Sequence, residues 1–272
     1  MTVRLGHIVY SNCFPVHAGI LDAPPGWIRI RCGVPTELNE ALAAGAIDVA
    51  PSSSIEYARH EEYRIIPGPA IASDGPVRSI VLELAGRGGP ETVHGRTVAL
   101  PTASATSVVL LRALLERRHG VVPAYAWFDQ GAEDPLAGGA AGALWIGDAA
   151  LRRARREDRS YLDLGEAWRD WTGLPFVYAV WQTRLQADRD GDLRRLARAL
   201  EASRAYFLDR VDALAEREAA PFGLPADELR SYWASLRYTL DASAMTGLTR
   251  FYELAAVLGE ASVPDLRFTP VP

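Results

Sequence analysis

Lysine is absent from this sequence of 272 residues, and all 29 basic residues are arginine. Enzymes that form a Schiff base on lysine, anchor pyridoxal phosphate or bind phosphate through a P-loop lysine are therefore excluded. The five histidines show no HExxH-like spacing, and no run of cysteine and histidine residues has the spacing of a zinc site. We therefore expect no metal site.

Cysteines are few and long apolar runs are missing. The two cysteines, Cys13 and Cys32, are too few for a disulfide framework, and intracellular thiols usually stay reduced. No stretch approaches the roughly 20 apolar residues that span a bilayer. The amino terminus also lacks a basic region followed by a long apolar one. These absences predict a cytoplasmic protein without a membrane partner.

A concentrated positive charge is missing as well. The net charge is -5, whereas binding to a phosphate backbone needs a basic face, so nucleic acid is not an expected partner. Hydrophobic residues make up 49% of the chain and charged residues 23%, which is typical of a globular protein. The chain is long enough to bury a core without metals or disulfides.

Apolar periodicity predicts two successive series of strands and helices. The predicted elements of the first series are strands at 3–10, 27–32, 46–50 and 63–66 and a helix at 35–44. Those of the second are strands at 80–84, 96–100, 124–128 and 141–146, a helix at 104–119 and a returning strand at 176–182. Helices are expected at 193–218, 226–238 and 244–258. This alternation predicts an α/β fold with largely parallel sheets.

The two series predict two lobes with a ligand cleft between them. A Gly/Pro-rich link at 85–90 joins the series, so we expect one lobe from residues 1–85 with 180–272 and another from 86–179. Ligands bind beyond the carboxyl ends of parallel strands. The strand-to-helix loops should therefore face the cleft.

Two of these loops, one in each series, are rich in hydroxyl groups. In the loop at 51–54, Ser53 and Glu56 match the capping-box spacing, which explains one serine as a helix cap but not three. The loop at 101–107 repeats the pattern. A helix start with free N–H groups and extra hydroxyls can hold a carboxylate, so the two loops predict a site for a ligand with two carboxylates. The expected contacts are Ser53, Ser54, Ser104, Thr106 and Ser107.

Three other loops offer polar groups with two interpretations each. Asn12 either caps a helix near Pro15 or orients a ligand through its amide. Ser79 interrupts an apolar strand, and its hydroxyl either meets the ligand or bonds to the backbone. Asp148 either caps a helix or acts on the substrate as a general acid or base.

Taken in order, these segments resemble chorismate dehydratase, an enzyme family of menaquinone biosynthesis by the futalosine pathway. The resemblance covers roughly residues 3–184. Its motifs are Gly45-x-Ile47-Asp48-Val49-Ala50, Ser53-Ser54-Ile55-Glu56-Tyr57, Gly75-Pro76-Val77-x-Ser79, Ser104-x-Thr106-Ser107, Ile146-Gly147-Asp148-x-Ala150-Leu151, Asp163-Leu164-Gly165-x-x-Trp168 and Thr172-Gly173-Leu174-Pro175-Phe176-Val177.

The resemblance implies a two-lobed fold like that of periplasmic solute-binding proteins (type II), with a helical carboxyl-terminal region. It also implies that chorismate loses water to give 3-(1-carboxyvinyloxy)benzoate without a metal or organic cofactor. Our hypothesis is that the enolpyruvyl carboxylate of the substrate accepts the proton, oriented by Asn12 and Ser79 as catalytic residues, with Asp148 as the rival base. The expected substrate-binding residues are Tyr10, Ser11, Ser53, Ser54, Ser104, Thr106, Ser107, Gly147, Asp148 and Pro175.

Two other functions remain as alternatives. The sister enzyme that makes 1,4-dihydroxy-6-naphthoate resembles this chain in fold, but that family has a catalytic histidine where this chain has Ile146-Gly147-Asp148. A non-catalytic solute-binding protein for a small carboxylate is the second alternative, because a fold alone does not determine function.

Overall fold

The computed structural model describes residues 2–155, 159–184 and 191–270. Seven elements form the first part of the chain: β1 (Val3–Ile8), α1 (Phe14–Asp22), β2 (Ile28–Gly33), α2 (Pro35–Ala43), β3 (Val49–Ser53), α3 (Ser54–Arg59) and β4 (Tyr63–Ser73). The strands predicted at 3–10, 27–32 and 63–66 and the helix predicted at 35–44 are present, but β1 ends at Ile8 and β4 continues to Ser73. The strand predicted at 46–50 begins later, at Val49, and ends at Ser53.

The middle of the chain contains β5 (Ile80–Leu84), β6 (Thr97–Pro101), α4 (Thr106–Arg112), β7 (Ala124–Phe128), β8 (Gly142–Ile146), α5 (Gly147–Arg153), β9 (Ser160–Asp163) and α6 (Leu164–Thr172). A 3-10 turn, Pro90–Val93, precedes β6, and a π-helical segment, Ala113–Arg118, continues α4. The last part contains β10 (Phe176–Arg184), α7 (Asp192–Leu208), α8 (Val211–Phe222), α9 (Ala226–Ser235), β11 (Leu236–Thr239) and α10 (Ala242–Val257).

The strands form two sheets, as the two predicted series require. Six strands have the order β11-β4-β10-β3-β1-β2, and five have the order β7-β6-β8-β5-β9. The chain leaves the first sheet after Ser73 and returns to it at Phe176. The predicted lobe boundaries at residues 85 and 179 stay predictions, because the strand order shows which strands share a sheet but not at which residue a lobe ends.

Both sheets are mixed, so the prediction of largely parallel sheets was wrong. Parallel pairs join β1 to β2 and β3, and β6 to β7 and β8. By contrast, β10 runs antiparallel to β3 and β4, and β5 runs antiparallel to β8 and β9. The reason is that β5 and β10 carry the chain between the sheets, and neither follows a crossover helix within its own sheet.

Two of the predicted carboxyl-terminal helices have different bounds. The helix predicted at 226–238 ends at Ser235, and Leu236–Thr239 forms a strand that pairs with β4. Leu236 and Tyr238 are buried while Arg237 and Thr239 are not, which is the period-two pattern of a strand. The helix predicted at 193–218 is divided into α7 and α8.

Aromatic packing connects the two segments on which the resemblance depends most. The ring of Phe176 lies edge-on to those of Trp168 and Phe251, with centroids 5.1 Å and 4.9 Å away. Helix α6 carries Trp168 and is capped by Asp163, whose carboxylate accepts hydrogen bonds from the backbone of Gly165 and Glu166. None of the helices within the described ranges has the length and apolar character that a membrane span needs.

Candidate active site

A small cavity lies between the two sheets, where β3 and β8 end. Its volume is about 40 Å³. Seven of the predicted site residues line it, and no charged side chain within the described ranges does. These seven are Tyr10, Asn12, Ser53, Ser104, Thr106, Ser107 and Gly147. The structure therefore brings loops from both series to one cavity that has no charged side chain and combines these polar groups with aliphatic ones.

Asn12 offers an unused acceptor at this cavity. Its amide Oδ1 is buried and has no hydrogen-bond partner among the described residues. The helix-cap interpretation does not hold, because α1 begins after Cys13 and no side chain caps it. A buried polar atom without a partner is costly, so this oxygen is suited to receive a hydrogen bond from a ligand.

Tyr10 and Gly147 form one wall of the cavity in close contact. Gly147 has φ of 61°, and a Cβ at this position would lie 2.8 Å from the Tyr10 ring. Glycine is therefore required both by the backbone conformation and by the packing. The Tyr10 hydroxyl accepts a hydrogen bond of 3.2 Å from Nε2 of Gln130, a residue that the sequence analysis missed.

Ser53 lines the cavity but does not cap α3 through its side chain, which corrects the capping-box interpretation. Glu56, its expected partner, forms an ion pair of 2.9 Å with Arg59 instead. Asn39 of α2 contacts Ser53 twice, through its amide nitrogen and its amide oxygen, each at 3.2 Å. The sequence pattern placed no functional residue in α2.

Ser54 is turned away from the cavity lining, unlike its neighbour Ser53. Its hydroxyl donates to the backbone oxygen of Val177 at 2.8 Å and lies 3.3 Å from Oγ1 of Thr106. The backbone N–H of Ile55 also donates to Thr106, at 3.1 Å. The two loops that were predicted to hold separate carboxylates thus touch each other at Thr106.

Ser104 and Ser107 form a local hydrogen bond at the start of α4. The backbone N–H of Ser107 donates to the Ser104 hydroxyl at 3.3 Å, and both side chains line the cavity. Ser104 is the acceptor in this hydrogen bond, so the hydrogen of its hydroxyl can still be donated to a ligand.

Ser11 and Asp148 bind each other instead of lining the cavity. The backbone N–H of Ser11 donates to Oδ1 of Asp148 at 3.2 Å, and the Ser11 hydroxyl donates to the same oxygen. Burial raises the pKa of Asp148, while the two hydrogen bonds from Ser11 act in the opposite direction. No side chain caps α5, so Asp148 connects the lobes and is not a helix cap.

Ser79 lies beside the cavity, in a loop with a strained backbone. Its Oγ accepts a hydrogen bond of 2.7 Å from the buried hydroxyl of Tyr232 in α9. The preceding Arg78 has φ of 63°, which no other non-glycine residue in the described ranges matches. Asp163 stabilises this turn by accepting from the N–H groups of Val77 at 3.0 Å and Arg78 at 2.6 Å. Ile80, and not Ser79, is part of the cavity lining.

Pro175 has a packing role in the structure. Its carbonyl oxygen accepts a hydrogen bond of 3.2 Å from the Trp168 indole. A Cβ on Gly247 would lie 2.0 Å from the same oxygen, so α10 approaches this turn as closely as glycine permits. Pro175 is not among the residues that line the cavity.

A buried histidine pair lies in the first lobe, where the sequence pattern predicted no cluster. The Nδ1 atoms of His7 and His17 are 2.9 Å apart, and the sulfur of Cys13 lies 3.9 Å from Nδ1 of His17. The Trp181 indole N–H donates to Nε2 of His17 at 3.0 Å, so the proton of this neutral imidazole is on Nδ1. Because a metal ion would have to bind at the nitrogen that carries this proton, the geometry favours a hydrogen bond between His7 and His17 over a metal site.

Comparison with known proteins supports both the fold and the chemistry. A family model described as menaquinone biosynthesis matches residues 3–257. Chorismate dehydratase from Thermus thermophilus is 32% identical over 267 residues, which cover 92% of this chain and 93% of the relative. Chorismate dehydratase from Campylobacter jejuni is 29% identical over 179 residues, 64% of each chain.

Solved structures show the same architecture. A protein from Archaeoglobus fulgidus superposes with a TM-score of 0.81 at 18% identity, covering 95% of this chain and 98% of its own. The periplasmic aliphatic sulphonate-binding protein from Escherichia coli gives a TM-score of 0.69 at 15% identity and covers 98% of this chain and 94% of its own. The predicted periplasmic-binding-protein-like fold is confirmed.

Proposed function

The chain belongs to the menaquinone-biosynthesis family, and from this premise we propose that it is a chorismate dehydratase. Identity of 32% with the Thermus thermophilus enzyme along 92% of the chain is the observation that carries this conclusion. The enzyme is a carbon-oxygen lyase that eliminates water from chorismate and leaves 3-(1-carboxyvinyloxy)benzoate. A cytoplasmic location stays a prediction.

The uncharged cavity suits a substrate with two carboxylates and a ring hydroxyl. Its polar residues include Ser53, Ser104, Thr106 and Ser107, which carry hydroxyls, and Asn12, which carries an amide. Hydroxyl and amide groups can hold a carboxylate through charge-assisted hydrogen bonds without a paired cation. We expect the substrate dianion to lie between these groups.

The reaction needs a base at ring carbon 3 and stabilisation of the hydroxyl that leaves ring carbon 4. When the carbon-hydrogen bond breaks, its electron pair forms the new ring double bond and the carbon-oxygen bond breaks. The hydroxide then departs with a proton as water, and the ring becomes aromatic.

We assign the base to the enolpyruvyl carboxylate of the substrate itself. No carboxylate, histidine or arginine side chain within the described ranges lines the cavity, and Oδ1 of Asp148 is already engaged by Ser11. The free amide oxygen of Asn12 supports a role in orienting the substrate, because it can accept a hydrogen bond from the ring hydroxyl. Ser79 is next to the lining residue Ile80, and its Oγ accepts from Tyr232, so its own hydroxyl hydrogen can be donated to the substrate.

Incubation of the purified protein with chorismate tests the proposed function. We expect the aromatic product to form at a rate proportional to protein concentration, measured by mass spectrometry and absorbance. Binding of chorismate without turnover would instead support a solute-binding protein. If chorismate neither binds nor reacts, the sister reaction that yields 1,4-dihydroxy-6-naphthoate becomes the function to assay.

A further inference from the structure

We propose that Asn39 directs the hydroxyl hydrogen of Ser53 and thereby makes Ser53 a hydrogen-bond donor to a carboxylate of the bound substrate. Asn39 is a positioning residue in this proposal, since it acts on the substrate through Ser53. The proposal rests on the proposed function, because it assumes that a carboxylate of chorismate occupies the cavity.

The orientation of the Asn39 amide follows from its neighbours. The backbone N–H of Ser53 can only donate, and it faces one amide atom of Asn39 at 3.2 Å, so this atom is Oδ1. The Ser52 hydroxyl donates to the same oxygen at 2.7 Å. The other amide atom is therefore the nitrogen, and it donates to Oγ of Ser53 at 3.2 Å.

This orientation uses one acceptor position of the Ser53 hydroxyl and leaves its hydrogen as the free donor of this residue. Its N–H is bound by Asn39, its carbonyl oxygen accepts from Nε2 of Gln182 at 3.0 Å, and its Oγ accepts from Asn39. The hydroxyl hydrogen remains for a partner in the cavity, which Ser53 lines. A hydrogen that can only be donated selects an acceptor such as a carboxylate oxygen.

The amide of Asn39 is suited to orienting Ser53 because it offers both a donor and an acceptor. It is only 8% exposed, and a buried asparagine in the middle of a helix is unfavourable unless its amide is satisfied. The chain contains two asparagines, Asn12 and Asn39, and both lie at or next to the cavity. Aspartate at position 39 would fit the same space but would have no hydrogen to donate to Ser53.

The substitution Asn39→Asp tests the proposal because it reverses one hydrogen bond. The new carboxylate can accept from the Ser52 hydroxyl and from both donors of Ser53, so the fold should be retained. The Ser53 hydrogen is then drawn away from the cavity. We expect the KM for chorismate to rise about 10-fold or more, in line with loss of a charge-assisted hydrogen bond, with a smaller change in kcat.

A pH series separates this role from a merely structural one. At low pH the introduced carboxyl becomes protonated and regains a hydrogen that it can donate to Ser53. The ratio of the KM of Asn39→Asp to that of the wild type should therefore fall as pH is lowered. Thr36→Asp is the matched control, because it adds the same charge one turn earlier on α2 at a residue that does not line the cavity.

A double variant shows whether the effect passes through Ser53. In a Ser53→Ala background, Asn39→Asp should raise the KM by much less than it does in the wild type. The proposal is overturned if the wild type dehydrates chorismate and Asn39→Asp leaves the KM unchanged, or raises it equally with and without the Ser53 hydroxyl, or equally to Thr36→Asp. A wild type that does not convert chorismate would instead contradict the proposed function.

Discussion

The hydroxyl oxygens of Ser54 and Thr106 lie 3.3 Å apart, one from each of the two serine-rich loops. This contact closes the cleft over a cavity of about 40 Å³. Ligand pockets commonly enclose roughly 300–1,000 Å³, so the lobes must separate to admit a substrate. We therefore expect an open arrangement in which this contact is broken, and we infer that the contact forms when the lobes close.

Thr106→Val should favour the open arrangement. The valine methyl group cannot accept from the N–H of Ile55 or bond to Ser54, whereas the side-chain volume hardly changes. Small-angle X-ray scattering of the free protein should give a larger radius of gyration than for the wild type. Thr246→Val is the control, since Thr246 bonds only within its own exposed helix turn. Equal radii for all three proteins would contradict this role of Thr106.

Asn12→Ala should lower single-turnover dehydration by roughly 100-fold, the scale seen when one polar contact to a reacting group is removed. The free amide oxygen at the cavity is the physical reason. Rapid-quench measurement of product at saturating chorismate gives the rate. A rate near that of the wild type would remove Asn12 from the catalytic residues.

Asp148→Asn should retain most of kcat, because Asp148 binds Ser11 and is not assigned as the base. Burial raises its pKa above the usual 3.8, so the folded protein holds this proton more tightly than the unfolded chain does. As pH rises from 3.8 through the raised pKa, the wild type should lose free energy of unfolding relative to the variant.

Urea unfolding of both proteins across this pH range measures that difference. A difference independent of pH would contradict the assignment of the raised pKa. A variant that binds chorismate normally yet has no activity would make Asp148 the base after all.

Tyr232→Phe should destabilise the protein by about 1–3 kcal/mol, since it leaves the buried Ser79 hydroxyl without its donor. It should also slow dehydration, because Ser79 is proposed as a catalytic residue. Tyr238→Phe is the matched control, because the buried Tyr238 hydroxyl has no partner among the described residues. Urea unfolding should separate the two variants, and equal losses of stability would contradict the interpretation.

The His7 and His17 pair should make the fold sensitive to acid. Burial lowers the pKa of His7 from 6.5 to about 4, so the unfolded chain binds this proton more readily. The free energy of unfolding should therefore fall as pH drops from 6.5 towards 4, by up to about 1.4 kcal/mol per pH unit for each proton. His7→Gln should reduce this slope in urea unfolding, and an unchanged slope would exclude His7 as its source.

Much of the fold was predictable because it depends on local patterns. Strands β7 and β5 have the predicted bounds, since each is a short apolar or aromatic run between turn residues. The strand at Leu236–Thr239 was mistaken for helix because four residues after a helix contain too little periodicity to distinguish the two. The antiparallel return of β10 depends on where the chain re-enters the first sheet, which no local pattern records.

The loops, their polar residues and the family could all be recognised from motifs of neighbouring residues. Which of those polar groups are free depends on the folded chain. Ser53 and Ser54 are adjacent, yet one lines the cavity and the other is bound to Val177. Asp148 is engaged by Ser11, 137 positions away, and Ser79 by Tyr232, 153 positions away. A hydrogen-bond partner so distant is chosen by the packing of whole elements, and for that reason the chemistry of each site residue could be read only in the folded chain.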